Sequence, residues 1–489
     1  MDPGHGRRLP RADGTPVSIS LPLVWALGFL DGSWLGRLFS VGGVPEIVSA
    51  LIALGILIFI HELGHFLTAK GVGVGVERFS LGFGPRVWGV RRGETDYCVS
   101  AVPLGGYVKM VGEEPKEGET LSETERARSF AHKPLGARFL IVFAGPASNF
   151  ILAALILAGV FSLVGRQALP AVVGRVAAGS PAESAGLRTG DRILSVDRVP
   201  VVAWDDVRDR VVRASGRPLA IELKRGQETS AVTITPRQER VKNLFGEEIE
   251  SWEIGASPYL PAKVGEVLPG DPAAKAGLQP GDVIRTVDGE PILVWEDLQE
   301  RIHRSAGKSL TLSVERDGRT LTVQVVPQAR RQQTPLGDGE EVGLIGVSPA
   351  PMFLYIRSNP IVAIGQGIMR TWDITVLTGV SLWKLITGRL PASTIGGPIQ
   401  IAVASGQQAR QGLVQYAFFV AVISVNLGLL NLLPVPVLDG GHILFFVIEA
   451  LLRKPIGLRA REIAHQVGFV LLLLLMVFAI YNDVVRIFR

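Results

Sequence analysis

Ile52-Ala53-Leu54-Gly55-Ile56-Leu57-Ile58-Phe59-Ile60-His61-Glu62-Leu63-Gly64-His65-Phe66-Leu67 sets an H-E-x-x-H motif inside a run of membrane-grade hydrophobicity that begins at Ile47. On a helix, His61 and His65 are four residues apart and project from one face, so two imidazole nitrogens can converge on one Zn2+. Glu62 stands beside the first histidine, where a carboxylate can take the proton of a metal-activated water. Three such side chains facing lipid would be costly, which directs them to a protein-lined, hydrated cavity. A bare H-E-x-x-H match also occurs on exposed faces of soluble helices, but the apolar surroundings argue against that reading here. The pattern implies peptide hydrolysis inside or at the edge of a bilayer.

Working outward, 489 residues that are 47% hydrophobic yet 19% charged suggest membrane spans alternating with water-soluble modules. The net charge of +5 comes without a basic stripe interleaved with aromatics, so nucleic acid is not an expected partner. Cys98 is the only cysteine, which excludes an intramolecular disulfide; a domain outside the membrane must hold by packing alone. Four segments are long and apolar enough to cross a bilayer: 44–69, 139–164, 413–440 and 467–485. Lys70, Arg78, Arg86, Arg91 and Arg92 fall in the loop 70–138, and Arg453, Lys454, Arg459 and Arg461 in the link 441–466. Both therefore read as cytoplasmic, with the long segment between spans two and three outside. Residues 1–43 are open between an interfacial arm, a poorly ordered tail and an upstream start codon. Residues 350–412 carry apolar positions at helical spacing around Trp372 and Trp383. They read either as a helix at the membrane surface or as a connector packed on the modules.

Between spans two and three one module is used twice, at a fixed offset of 91 residues. Gly179-Ser180-Pro181-Ala182 matches Gly270-Asp271-Pro272-Ala273, Ala185-Gly186-Leu187 matches Ala276-Gly277-Leu278, and Gly190-Asp191 matches Gly281-Asp282. Trp204-Asp205-Asp206 matches Trp295-Glu296-Asp297 without a gap. Each copy, 170–258 and 261–349, reads as short strands around one longer helix and resembles a bacterial PDZ domain. Such modules take an extended peptide as an added strand, which makes peptide C-termini expected ligands. A rigid lid over the membrane part is the competing reading.

Two histidines leave a catalytic zinc one protein ligand short. The candidate lies far downstream, in Asn426-Leu427-Gly428-Leu429-Leu430-Asn431-Leu432-Leu433-Pro434-Val435-Pro436-Val437-Leu438-Asp439-Gly440-Gly441-His442. Pro434 and Pro436 lack amide hydrogens, so the third span must break there, and broken backbone at membrane depth has to line a cavity or be buried in protein. Asp439, just past the break, is the expected third ligand, with His442 a competitor more suited to a helix start.

H-E-L-G-H-F in the first span and L-D-G-G in the third resemble the site-2 protease family of intramembrane zinc metalloproteases, in the branch with tandem PDZ modules. Phe79-Ser80-Leu81-Gly82-Phe83-Gly84, Pro103-Leu104-Gly105-Gly106-Tyr107-Val108-Lys109-Met110 and Ala144-Gly145-Pro146 with Asn149 extend the likeness. The resemblance implies a polytopic α-helical membrane protein with four transmembrane helices, a membrane-associated β-hairpin and two extracytoplasmic α+β PDZ domains. It implies Zn2+ on His61, His65 and Asp439, with Glu62 as general base. It also implies substrate contacts from Asn426, Asn431 and the hairpin residues Gly105, Gly106 and Tyr107. The implied substrates are transmembrane segments of single-pass proteins, an anti-sigma factor and remnant signal peptides, cut in a bacterial inner membrane with the active site toward the cytoplasm. Against it stands a membrane-tethered PDZ scaffold with a vestigial metal site, which would be free to lose one of these four residues. A soluble-type metalloprotease with an anchor would carry its motif outside the apolar run.

Overall fold

The computed structural model describes residues 43–113, 122–243, 245–333, 339–350, 352–454 and 456–487. The alternatives raised for the N-terminal extension fall outside them. Arg166–Ile356 forms one compact unit, and the segments up to Gly165 and from Arg357 form another.

The second of these units is helical. Gly43–Gly71 is α1, followed by strands β1 (Val76–Arg92) and β2 (Thr95–Met110) and by α2 (Leu135–Leu163). After the intervening unit come α3 (Pro360–Ile386), α4 (Pro398–Gln411), α5 (Leu413–Asn431), α6 (Asp439–Leu452) and α7 (Leu458–Ile487). Within α1, α2, α5 and α7, the stretches Glu46–Gly71, Leu135–Leu163, Leu413–Asn431 and Arg459–Arg486 are long and apolar enough to span a membrane. These are the four segments expected, with shifted ends. Apolarity marks only the crossing part, whereas the backbone ladder of α7 begins in the polar residues around Arg459. The link read as 441–466 is largely helix, because α6 is apolar from Ile443 to Leu452 apart from Glu449, and its flanking charges begin only at Arg453.

Strands β1 and β2 make more than a plain hairpin. Ser80 pairs with both Tyr107 and Cys98, and Cys98 also pairs with Gly89, so each strand bends back on itself. Gly82 and Gly84, both at φ +89°, make that bend possible. The result is four runs ordered 86–92, 95–102, 76–83 and 106–110, which leaves 106–110 as an edge. Edge-to-face contacts of Phe59 and Phe66 with Phe79 (5.7 and 5.2 Å) lock the sheet against α1. Helix α3 packs lengthwise on α2 and α5: Ala363 and Ile374 join Ala153, Leu157, Phe161, Ala421 and Val425 in one buried cluster. Trp372 and Trp383 remain exposed on its outer face.

The Arg166–Ile356 unit holds the repeat. Arg192–Val196, Leu219–Arg225 and Glu228–Ile234 form an antiparallel sheet over the helix Trp204–Ala214, and Val283–Val287, Leu310–Arg316 and Arg319–Val325 do the same over Trp295–His303. The 91-residue offset survives in three dimensions: Val196 pairs with Ile221 as Val287 pairs with Leu312. Buried Val173, Ala182, Ile193, Val207, Ile221 and Leu223 recur as Val264, Ala273, Ile284, Leu298, Leu312 and Val314. The recurring Gly-Asp pairs also find their reason. Asp191 accepts from Arg225 Nε and Nη2 at 2.7 Å and Asp282 from Arg316 Nε and Nη2 at 2.6 and 2.7 Å, each carboxylate almost fully buried. A polar hairpin closes each copy, Arg237–Lys242 with Glu248–Glu253 and Gln328–Gln333 with Gly339–Leu344. Its lack of apolar alternation hides it from a sequence reading.

Candidate metal centre

His61 and His65 lie on one face of α1, their rings 4.8 Å apart and both side chains buried. Asp439 is the first residue of α6. The chain leaves α5 at Asn431 and turns through Leu432–Leu438, where the two prolines withhold amide donors. Gly440 and Gly441 lie flat against the carbonyls of Leu432, Leu433 and Val435, and a Cβ at either position would overlap that backbone. The D-G-G sequence thus joins a carboxylate to two residues without a side chain, which lets the break fold tightly over the start of α6.

This fold brings Asp439 Oδ2 to 3.0 Å from His61 Nε2 and 3.5 Å from His65 Nε2, and the two nitrogens to 3.2 Å from each other. A tetrahedral zinc with bonds of about 2.0–2.1 Å has ligand atoms separated by about 3.3–3.4 Å. The observed triangle matches one face of that tetrahedron. No other group of three such side chains gathers among the described residues. Beyond the two imidazole nitrogens, the buried Asp439 Oδ2 has no hydrogen-bond partner among them, which suits a carboxylate oxygen able to ligate a cation. The residues fit Zn2+. His442 does not join them; its ring packs edge-on against His465 at 5.4 Å and beside Phe445.

Glu62 points to the strand edge. The Val108 backbone lies beside its carboxylate. A Cβ on Gly106 would come within 3.2 Å of Glu62 Cγ and 2.9 Å of the Ser80 carbonyl, so a bare backbone is what lets the edge pass this close to Glu62. Gly105, at φ +123°, would drive a side chain into the Phe83 ring, and Tyr107 stacks on Phe83 at 6.1 Å while accepting from Arg78 at 3.2 Å. Asn426 accepts from the Thr378 hydroxyl at 2.9 Å, and Asn431 is the last residue of α5.

Sequence reasoning gave no role to the residues of α2. The Ile141 carbonyl lies 2.8 Å from His65 Nδ1, the Asn149 amide 3.2 Å from His61 Nδ1, and Gly145 faces both imidazoles. Their signal was G-P-x-x-N inside an apolar run, visible but without an assigned chemistry. Gly64 backs onto Ala144 and Ser148, and Ser148 donates to the Ile60 carbonyl at 2.8 Å, which holds α1 and α2 at close range.

An H-E-x-x-H helix within apolar spans, completed by a distant carboxylate, defines the class of membrane-embedded metalloprotease. The model of Peptidase family M50 matches residues 49–475, and the chain belongs to that family. It is similar to the regulator of sigma-E protease RseP of Escherichia coli K12, at 36% identity over 90% of this chain and 98% of that protein. It is also similar to protease RseP of Yersinia pestis, at 35% identity over 90% and 98%. Among solved structures, the PDZ domain of an SdrC-like protein from Listeria monocytogenes aligns with 19% of this chain and 90% of its own, at 20% identity and a TM-score of 0.16. The protein is a zinc metalloprotease.

Proposed function

We propose that this enzyme cuts transmembrane segments of single-pass membrane proteins, with His61, His65 and Asp439 holding Zn2+ and Glu62 as general base. The observation that carries the reading is the meeting of two imidazoles of a membrane-grade helix with one carboxylate from the opposite end of the chain, beside Glu62. Bound zinc supplies Lewis-acid polarisation of a carbonyl and of water. Glu62 takes the proton of the attacking water and passes it to the leaving amide nitrogen. A helical substrate hides its peptide bonds and must unwind first. The edge 106–110, with Gly105, Gly106 and Tyr107, offers backbone hydrogen bonds to the unwound strand. Asn426 and Asn431 contact the same segment. With the Thr378 hydroxyl on Asn426 Oδ1, the Asn426 NH2 is left to donate to a substrate carbonyl.

The kinship with regulators of sigma-E protease supports an anti-sigma factor, trimmed beforehand by a site-1 protease, as one substrate and remnant signal peptides as another. The repeated modules are read as PDZ domains on the periplasmic side of an inner membrane, binding peptide C-termini and excluding substrates with bulky outer domains. The metal centre lies toward the cytoplasm.

Glu62→Gln is the test. The variant should keep its zinc and lose cleavage of a membrane-embedded substrate; full activity would overturn the mechanism.

A further inference from the structure

Ile141, Gly145 and Asn149 are spaced by four residues, so α2 presents them as one stripe to both imidazoles. For His65 the consequence is direct. The Ile141 carbonyl can only accept, so the proton sits on His65 Nδ1 and Nε2 keeps its lone pair for the metal. Gly145 leaves no side chain between α2 and the rings.

Asn149 occupies the equivalent place for His61. It is fully buried, its amide lies 3.2 Å from His61 Nδ1, and its own backbone carbonyl is pinned by the Ser424 hydroxyl at 2.8 Å. Its Oδ1 finds no partner among the described residues. The two ends of a side-chain amide are interchangeable by a half-turn. With NH2 toward the ring, His61 Nδ1 accepts and its proton moves to Nε2, the nitrogen 3.0 Å from Asp439, which then cannot ligate. With Oδ1 toward the ring, Nδ1 donates and Nε2 turns its lone pair to the point shared with His65 and Asp439. Only the second orientation suits three converging ligand atoms.

We infer that Asn149 is a positioning residue: its Oδ1 accepts the Nδ1 proton of His61 and so fixes the ring and tautomer that bind zinc, as the Ile141 carbonyl does for His65. The inference rests on reading His61, His65 and Asp439 as the ligands, and the experiment separates the two.

Full-length protein in detergent is stripped of metal and titrated with Zn2+ against a chromophoric chelator. Asn149→Leu, similar in size but without an acceptor, should bind about 10–100-fold more weakly. Asn149→Asp restores an acceptor and should stay within about threefold of wild type, a rescue that loss of packing alone would not show. If Asn149→Leu is not recovered as a monodisperse protein, Asn149→Ala reads the same loss. Wild-type affinity in the Leu or Ala variant, with His61→Ala unable to bind, overturns the role of Asn149 alone. An Asp variant weaker than the Leu variant overturns it too, since it shows the NH2 facing the ring. Undiminished binding by His61→Ala sinks the ligand assignment itself.

Discussion

Asp439 Oδ2 lies 3.0 Å from His61 Nε2, although the two residues belong to opposite ends of the chain. Nothing local to either motif secures that meeting. It depends on where α6 is docked, and α6 is fastened at its far end. Arg138, at the start of α2, grips Glu449 through two nitrogens at 2.9 and 3.3 Å and covers the Phe446 ring at 5.1 Å. A bidentate, mostly buried pair has one geometry, so it fixes the helix that presents the carboxylate.

Asp439→Ala should therefore remove one of the three proposed ligands while leaving α6 in place. Zinc affinity is expected to fall further than the about 10–100-fold typical of changes behind the ligands. Metal content of the purified protein after dialysis checks this, and an undiminished content would exclude Asp439 from the site.

Two glycines of one helix give opposite expectations. A Cβ on Gly145 would overlap His65 and come within 2.9 Å of His61 Nε2, whereas nothing lies within 4 Å of one on Gly159. Gly145→Ala should lower zinc occupancy at least about tenfold by displacing ligand rings. Gly159→Ala should leave occupancy unchanged and stabilise α2 by about 0.5–1 kcal/mol, the helix preference of alanine over glycine. Metal analysis and thermal unfolding of both variants decide the matter.

Much of this was legible in the sequence because the signals were strong and short-range. The spans announce themselves by apolar length, and His61 and His65 by helical spacing. The module repeats without a gap, so Asp191 and Asp282 stand out before their arginines are known. Asp439 was reachable only through Pro434 and Pro436, which demand a break that must be put to use. What stayed hidden depends on partners distant in sequence. The fold-back of β1 and β2 turns on Gly82 and Gly84, whose φ a sequence does not print. Asn149 lies in an apolar run where it reads equally well as glue between helices. The polar strand pairs 237–242 with 248–253 and 328–333 with 339–344 lack the alternation that marks a half-buried strand.

The Asp282–Arg316 pair predicts an acid limit for the second module. Burial alone would raise the Asp282 carboxyl, but the Arg316 guanidinium and the Gln279 amide outweigh it and hold the group below the usual carboxylate range. A carboxyl lowered by folding adds stability that is complete above about pH 4 and is lost as pH falls through its folded value. Asp282→Asn should lower the unfolding temperature by about 5 °C at neutral pH and flatten the acid limb of its pH dependence. An unchanged acid limb would assign that limb to other groups.

The two modules also touch through charges, and that contact predicts a second pH response. Arg175 of the first lies 2.6 Å from Glu300 and 3.8 Å from Asp297 of the second, with the Ser257 hydroxyl 3.4 Å from Glu296 nearby. Arg175, with Arg304 behind it, holds the Glu300 carboxyl below its ordinary range, so the clasp should outlast acidification past the usual glutamate value near about 4.3 and open only below it. Because Arg175 is exposed and Glu300 only half-buried, salt should loosen the clasp at any pH. Spin labels on cysteines placed at exposed Thr229 and Thr320 would report the distance between modules in the full-length protein. The distribution should be narrow at pH 7 and low salt, broader at high salt, and equally broad in Arg175→Glu without added salt. Arg175→Glu combined with Glu300→Arg should narrow it again. A width indifferent to salt and to both variants would mean that packing, not this arginine, sets how the modules meet.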